Sequence, residues 1–139
     1  MIDKERISVM IRDIERYLSD LQEIDVGSKK DLEEKEAYYA VSMIVFAVMN
    51  RVVDIGNEVI SGSGKMPMPD TYKEAFEVLA HNQIISRGLA AEMMRLMKYR
   101  NIIAHEYYQL SADELFALKK DIPKAEKFIS EIKKYLEEK

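Results

Sequence analysis

Apolar residues recur at Ile7, Met10, Ile11, Ile14, Tyr17, Leu18, Leu21 and Ile24, the three-then-four spacing that lines up side chains on one face of a helix. This predicts a first helix from about Asp3 to Ile24. Gly27 and Ser28 interrupt it, and Ser28 with Asp31 three positions on has the form of an N-cap with an acidic first turn. A second helix is expected to start there and to run to about Ile60. Between Ala37 and Met49 its apolar residues surround the axis, as they would on the central helix of a bundle, whereas Val52, Val53, Ile55, Val59 and Ile60 alternate with Arg51, Asp54, Asn57 and Glu58. The stretch from Ser61 to Pro69 has the glycine and proline content of a loop. Thr71 with Glu74 makes a capping-box pattern for a short helix through Leu79, with His81 and Asn82 near its end. A longer apolar helix is expected from Ile84 or Ser86 into the segment Tyr99 to Tyr108. Ser111 and Glu114 then repeat the capping-box pattern, opening a final stretch that carries Leu115, Leu118, Ile122, Phe128, Ile129, Ile132, Tyr135 and Leu136. Pro123 should kink or split that stretch near Asp121.

No segment alternates apolar and polar positions for long enough to suggest a sheet, and there is no internal repeat. The fold class is therefore all-α, and short connections between helices favour an up-and-down bundle of four to five helices. At 139 residues one domain, 1–139, is expected, large enough to bury a core of its own. The absence of cysteine excludes disulfides and thiolate-held metals. Charges every few residues near the start leave no signal-peptide core, and the central apolar run, Ala37 to Met49, is 13 residues against the roughly 20 of a membrane span. A cytoplasmic protein without a membrane partner is expected.

Three tempting signals fail. The run Ser61-Gly-Ser-Gly-Lys65 lacks the glycine spacing and preceding strand of a P-loop. His105-Glu106 opens like a zinc-protease motif, but Gln109 stands where the second histidine belongs. Glu-x-x-His pairs for a di-metal bundle are missing, since His81 follows Glu77 by four positions. No metal and no cofactor are expected. His81, at a predicted helix end, is assigned a capping or core role.

The informative segment is Arg100-Asn101-Ile102-Ile103-Ala104-His105-Glu106-Tyr107-Tyr108, which carries one of only two histidines. At about 100° per residue, Arg100, Ala104 and Tyr107 share one helical stripe and Asn101, His105 and Tyr108 the next. Arg100 and His105 then stand about 140° apart, so convergence on one small group needs the reach of arginine, a distorted helix end or a second copy of the motif. The set suits phosphodiester chemistry. Histidine moves protons near neutrality, arginine clamps phosphate with paired donors, and asparagine can orient either one. RNA brings its own nucleophile in the 2′-hydroxyl, so a base and a phosphate clamp suffice for transesterification. A structural alternative stands beside this reading: Arg100 pairs with a neighbouring acid, His105 caps the helix, and the tyrosines belong to the core. Charge bears on the choice. The protein carries −4 overall, yet residues 84–108 hold four basic side chains against two acidic ones, +2, leaving −6 elsewhere.

The pattern Arg100-Asn101-x3-His105-x-Tyr107 resembles the Arg-x4-His-x-Tyr signature of HepT-like toxins in the HEPN superfamily. The likeness extends over nearly the whole chain, through Glu5-Arg6-Ile7, Tyr38-Tyr39-Ala40-Val41, Asp54-Ile55-Gly56-Asn57, the proline before Thr71-Tyr72, and His105-Glu106-Tyr107-Tyr108. It implies a HEPN-like helical homodimer with a composite cleft, acting as a metal-independent endoribonuclease toxin whose partner is a minimal nucleotidyltransferase antitoxin. Carried over by position, Arg100 would stabilise the phosphate, His105 would act as general base or acid, Asn101 would orient them, and Tyr107 would be the residue the antitoxin modifies with AMP. Overall acidity favours a structured RNA such as tRNA over indiscriminate RNA binding, with mRNA the other candidate. The alternative function is a non-catalytic helical module that binds a nucleotide or the partner enzyme in the same cleft.

Overall fold

The computed structural model describes residues 1–106 and 110–138, with the side chains of His105 and Glu106 outside that description. Within them all regular structure is helical: α1 (Lys4–Glu23), α2 (Lys35–Ser63), α3 (Tyr72–His81), α4 (Arg87–Glu106), α5 (Ala112–Asp121) and α6 (Ala125–Glu137). Two 3₁₀ turns, Lys29–Glu33 and Ile122–Lys124, complete the order. The second contains Pro123 and divides the final stretch into α5 and α6, as the missing amide hydrogen of proline requires. Counted that way, the bundle has five helices with the last one split.

Most helix starts are set by the side chains that cap them. Asp3 accepts a hydrogen bond from the Arg6 amide at 3.0 Å to open α1, whose Ile7, Ile11, Ile14, Leu18 and Leu21 are buried. Thr71 accepts from the Glu74 amide at 3.1 Å, and the Glu74 carboxylate accepts from the Asp70 amide at 2.8 Å. Ser111 and Glu114 form a complete capping box at α5. At α4 the later of the two expected starts is used, because the Ser86 hydroxyl accepts from the Leu89 amide at 3.1 Å. The amide of Ser86 itself donates to Glu131 of α6 at 2.7 Å, so this start is fixed from another element.

Two boundaries differ from the sequence reading. The Ser28–Asp31 capping box forms, with Asp31 accepting from the Gly27 and Ser28 amides at 2.8 and 3.0 Å, but it opens only the first 3₁₀ turn. Capping satisfies free amides without dictating how far the helix continues. Here Leu32 is buried where the turn meets α2 and α5, Lys29 pairs with Asp113 of α5 at 3.1 Å, and α2 begins only at Lys35 after the extended Glu34. At its other end α2 continues past Ile60 to Ser63, so the expected loop starts later. Gly62 is buried there, and a Cβ built on it would lie 2.6 Å from the Cα of Ile2, so this glycine admits a close approach instead of breaking the helix. The break falls at Gly64, whose φ of +69° is the left-handed conformation that favours glycine.

α2 is central, as its apolar circumference predicts: it packs against each of the other five helices and the first 3₁₀ turn. Its 29 residues are long and apolar enough to cross a membrane by length and composition, but half of the qualifying window is buried against the rest of the bundle. Arg51 on this helix ties it to α1, bonding Asp13 at 3.1 Å and Asp54 at 2.8 Å. Burial disfavours its charge, yet Asp54 and Asp13 more than offset this and raise its pKa.

One defect of α2 yields a prediction. Ser42 is 7% exposed, and its hydroxyl is a buried polar atom without a hydrogen-bond partner among the described residues. An unsatisfied buried polar group costs about 1–3 kcal/mol. Ser42→Ala is therefore expected to raise the melting temperature by a few degrees in a thermal unfolding scan, and a lowered midpoint would show that the hydroxyl has a partner in solution.

Candidate functional site

Arg100 lies in the last two turns of α4, half-buried, with Asn101 exposed beside it. Its Nε–H donates to Oδ1 of Asn50 on α2 at 2.6 Å. The guanidinium carbon lies over the ring of Tyr72, 4.4 Å from its centroid, and 5.5 Å from that of Phe46. Tyr72 is the first residue of α3, placed by the Thr71–Glu74 capping arrangement. The adjacent residues Asn50 and Arg51 point about 100° apart around α2, the first bonding α4 and the second α1. The rotation of α2 thus places a neutral amide, not a carboxylate, beneath Arg100.

This bears on the structural alternative. Among the described residues Arg100 has no carboxylate partner; the arginines paired with acids are Arg6, Arg16, Arg51 and Arg95. Since α4 remains helical to Glu106, Arg100 and His105 keep the angular separation of about 140° read from the sequence. The side chain of His105 lies outside the described residues, as do Tyr107 and Tyr108, so the roles expected of His105 and Tyr107 rest on the resemblance of the sequence. Leu110, the next described residue, is anchored by its carbonyl, which accepts from the Tyr38 hydroxyl at 2.7 Å. Burial, then the neighbouring Tyr39 and Glu114, raise the Tyr38 pKa, so this donor keeps its proton.

The positive charge of residues 84–108 is less concentrated than the sequence suggests. Arg95 pairs with Asp121 at 3.1 Å, and Arg87 opens α4, about 20 Å along the axis from Arg100. What stays near the motif is Arg100 itself and the exposed Lys98, two residues before it and about 200° around α4. His81 is also reassigned: it is exposed at the end of α3, and the side chain that caps this end is that of Asn82, donating to the Val78 carbonyl at 2.8 Å. His81 and Asn82 line an open cavity of about 450 Å³ with Pro67, Arg87 and Met94. The described residues contain no group of three or more acidic or histidine side chains placed to hold a metal ion. Sequence reasoning missed Asn50, Tyr72 and Phe46. An asparagine directly after the apolar run to Met49 was the only local hint, and 50 residues separate it from its partner.

The all-helical arrangement around α2 is the fold of the HEPN toxins. Among solved structures, the cytosolic protein YutE from Bacillus subtilis superposes with a TM-score of 0.85 at 23% identity, over 98% of this chain and 92% of that one. The tri-AMPylated HEPN toxin of Shewanella oneidensis, solved in complex with its MNT antitoxin, superposes at 0.82 with 22% identity, over 91% and 96%. At these identities the likeness establishes the fold. The family model described as ribonuclease HepT-like matches residues 9–132, and the chain belongs to that family. In sequence, the mRNA nuclease HepT of Shewanella oneidensis is 30% identical over 61 residues, which span 44% of this chain and only 45% of that relative. YutE is 25% identical over 111 residues, 79% of this chain and 76% of its own length.

Proposed function

We propose that this protein is the toxin of a toxin–antitoxin pair, a metal-independent endoribonuclease that forms one HEPN-like domain over residues 1–139 and works in the cytoplasm. The observation that carries this reading is the Arg100 guanidinium, held by the neutral Asn50 and the ring of Tyr72 with its charge uncancelled by any carboxylate of the described residues. In the reaction, His105 takes the proton of an RNA 2′-hydroxyl, the oxygen attacks the adjacent phosphorus, and the bond to the 5′ oxygen breaks. The products are a cyclic 2′,3′-phosphate and a 5′-hydroxyl that takes up the proton. Arg100 stabilises the charge developing on the phosphate, and Asn101 orients the reacting groups. The nucleophile belongs to the substrate, so the step requires no metal ion. The family description supports the ribonuclease reading, and the likeness to toxins solved with nucleotidyltransferase antitoxins supports the pairing.

The test is cleavage of tRNA and of mRNA by purified protein in chelator. Absence of cleavage on both would favour the non-catalytic binding module, as would the lack of a nucleotidyltransferase reading frame beside the gene.

The cleft is completed by a second copy. With α4 helical to Glu106, the separation of about 140° between Arg100 and His105 leaves the reach of arginine or a second copy of the motif to bring both onto one phosphate, and the surface beside Arg100 supports the second copy. Alongside Arg100, α2 exposes Tyr39 (57%) and Met43 (72%), one turn apart and in line with Phe46 and Asn50. Exposed apolar side chains in a row mark an interface. Light scattering is expected to give a dimer mass, and Met43→Glu, which buries a charge in that interface, to shift the protein toward monomer. A monomer mass for the unsubstituted protein would remove the dimer.

A further inference from the structure

We infer that Asn50 and Tyr72 are positioning residues that hold Arg100 ready for a phosphate while leaving its charge unspent; this rests on the phosphate role proposed for Arg100. A guanidinium has one N–H on Nε and four on its two terminal nitrogens. Asn50 takes the first at 2.6 Å, and Tyr72 covers one face of the group at 4.4 Å. Among the described residues nothing is bonded to the terminal nitrogens of Arg100, which form the edge that grips an oxyanion with two parallel hydrogen bonds. Long side chains that are ordered only on binding lose part of the interaction to that ordering. Here the ordering is already done.

The chemistry of the holding groups matters as much as their geometry. Arg51, the chain neighbour of Asn50, is also fixed, but by Asp13 and Asp54, whose carboxylates occupy both its Nε and a terminal nitrogen. Such an arginine is a structural tie with little left for a ligand. Arg95 is spent in the same way on Asp121. Among the described residues an amide and two aromatic rings, those of Tyr72 and Phe46, hold the cation of Arg100, and all three are neutral. A carboxylate at position 50 would keep Arg100 equally well placed, yet it would compete with the substrate phosphate for the same charge. A positioning role and a merely structural one therefore predict opposite consequences for one substitution.

The experiment uses the full-length protein and three readouts. The Nε–Hε signal of Arg100 is followed by ¹⁵N NMR, binding of a 2′-O-methyl RNA oligonucleotide is titrated, and RNA cleavage is measured in chelator. Asn50→Ala is expected to speed solvent exchange of the Nε–Hε proton and to lower kcat about 10- to 100-fold. In an Arg100→Ala background the same change should be silent. Asn50→Asp is expected to keep the signal protected and the fold as stable, but to weaken oligonucleotide binding and raise KM. Tyr72→Leu should remove the ring-current shift of the signal and lower kcat, whereas Tyr72→Phe, which preserves the ring face, should match the unsubstituted protein. Oligonucleotide binding by Asn50→Asp as tight as that of the unsubstituted protein would overturn the inference, as would multiplicative losses from Asn50→Ala and Arg100→Ala. If the unsubstituted protein cleaves no RNA, the ribonuclease reading fails, while the NMR and binding arms still decide whether Asn50 and Tyr72 position Arg100.

Discussion

His105→Ala is expected to lower RNA cleavage in chelator by about 10²- to 10⁴-fold, the usual contribution of a general base, and Arg100→Ala by about 10²- to 10³-fold, the cost of losing one charge-stabilising group. The His105→Ala loss should fall on kcat, because proton transfer acts in the transition state, and the Arg100→Ala loss on kcat and KM together, because the guanidinium both binds the phosphate and stabilises its developing charge. Arg100→Lys should not restore activity. A lysine ammonium carries the charge but has no planar group to lie on Tyr72 and no rigid fork of two nitrogens for bidentate contact with phosphate. Asn101→Ala should cost less, since Asn101 orients groups instead of carrying charge or a proton. Thermal unfolding of each variant separates these effects from loss of fold. Equal cleavage by His105→Ala and the unsubstituted protein would sink the mechanism.

Incubation with the cognate nucleotidyltransferase and ATP is expected to place AMP on Tyr107 and abolish cleavage. The phenolic oxygen attacks the α-phosphorus of ATP, pyrophosphate leaves, and the phenolic proton passes to solvent. Tyr107 lies seven residues after Arg100 on the stripe read from the sequence, so the added phosphodiester brings negative charge and a nucleoside toward the cation that RNA needs. The AMP group then competes with substrate by charge and excludes it by bulk. Mass spectrometry of peptides from treated protein locates the label, and Tyr107→Phe should cleave RNA normally yet resist neutralisation. Label found only on other residues would refute the assignment. Among the relatives, the Shewanella oneidensis toxin is itself tri-AMPylated in its complex with antitoxin, so the neighbouring Tyr108 belongs in the same peptide search.

The helical frame is legible in the sequence because its signals are local. Apolar spacing in Ile7 to Leu21 defines α1, and the side chains of Asp3, Thr71 and Ser111 cap helices within three residues of their own positions. Sequence and structure part where a distant contact overrides a local signal. Ser28 and Asp31 form their box, but it opens only a short 3₁₀ turn, whose Leu32 is buried where the turn meets α2 and α5. Gly62 reads locally as a breaker and is instead the point where Ile2 crosses α2. His81 has the position of a cap, but the adjacent Asn82 takes that role. The charge argument is weakened in the same manner, since Asp121 of α5 takes up Arg95.

The sequence by itself determined the all-helical class and the central place of α2, because periodicity and capping are properties of neighbours along a chain, and the resemblance of its motif supplies the proposed set Arg100, Asn101, His105 and Tyr107. Only the tertiary structure decided what Arg100 touches. Its three partners come from α2 and from the start of α3, many residues away, and no pattern along one helix states which side chain of another will lie beneath it. Packing set that through the rotation of α2, which turns Arg51 to the carboxylates and Asn50 to Arg100. One arginine is thereby neutralised as a tie between helices, and the other has no carboxylate partner among the described residues.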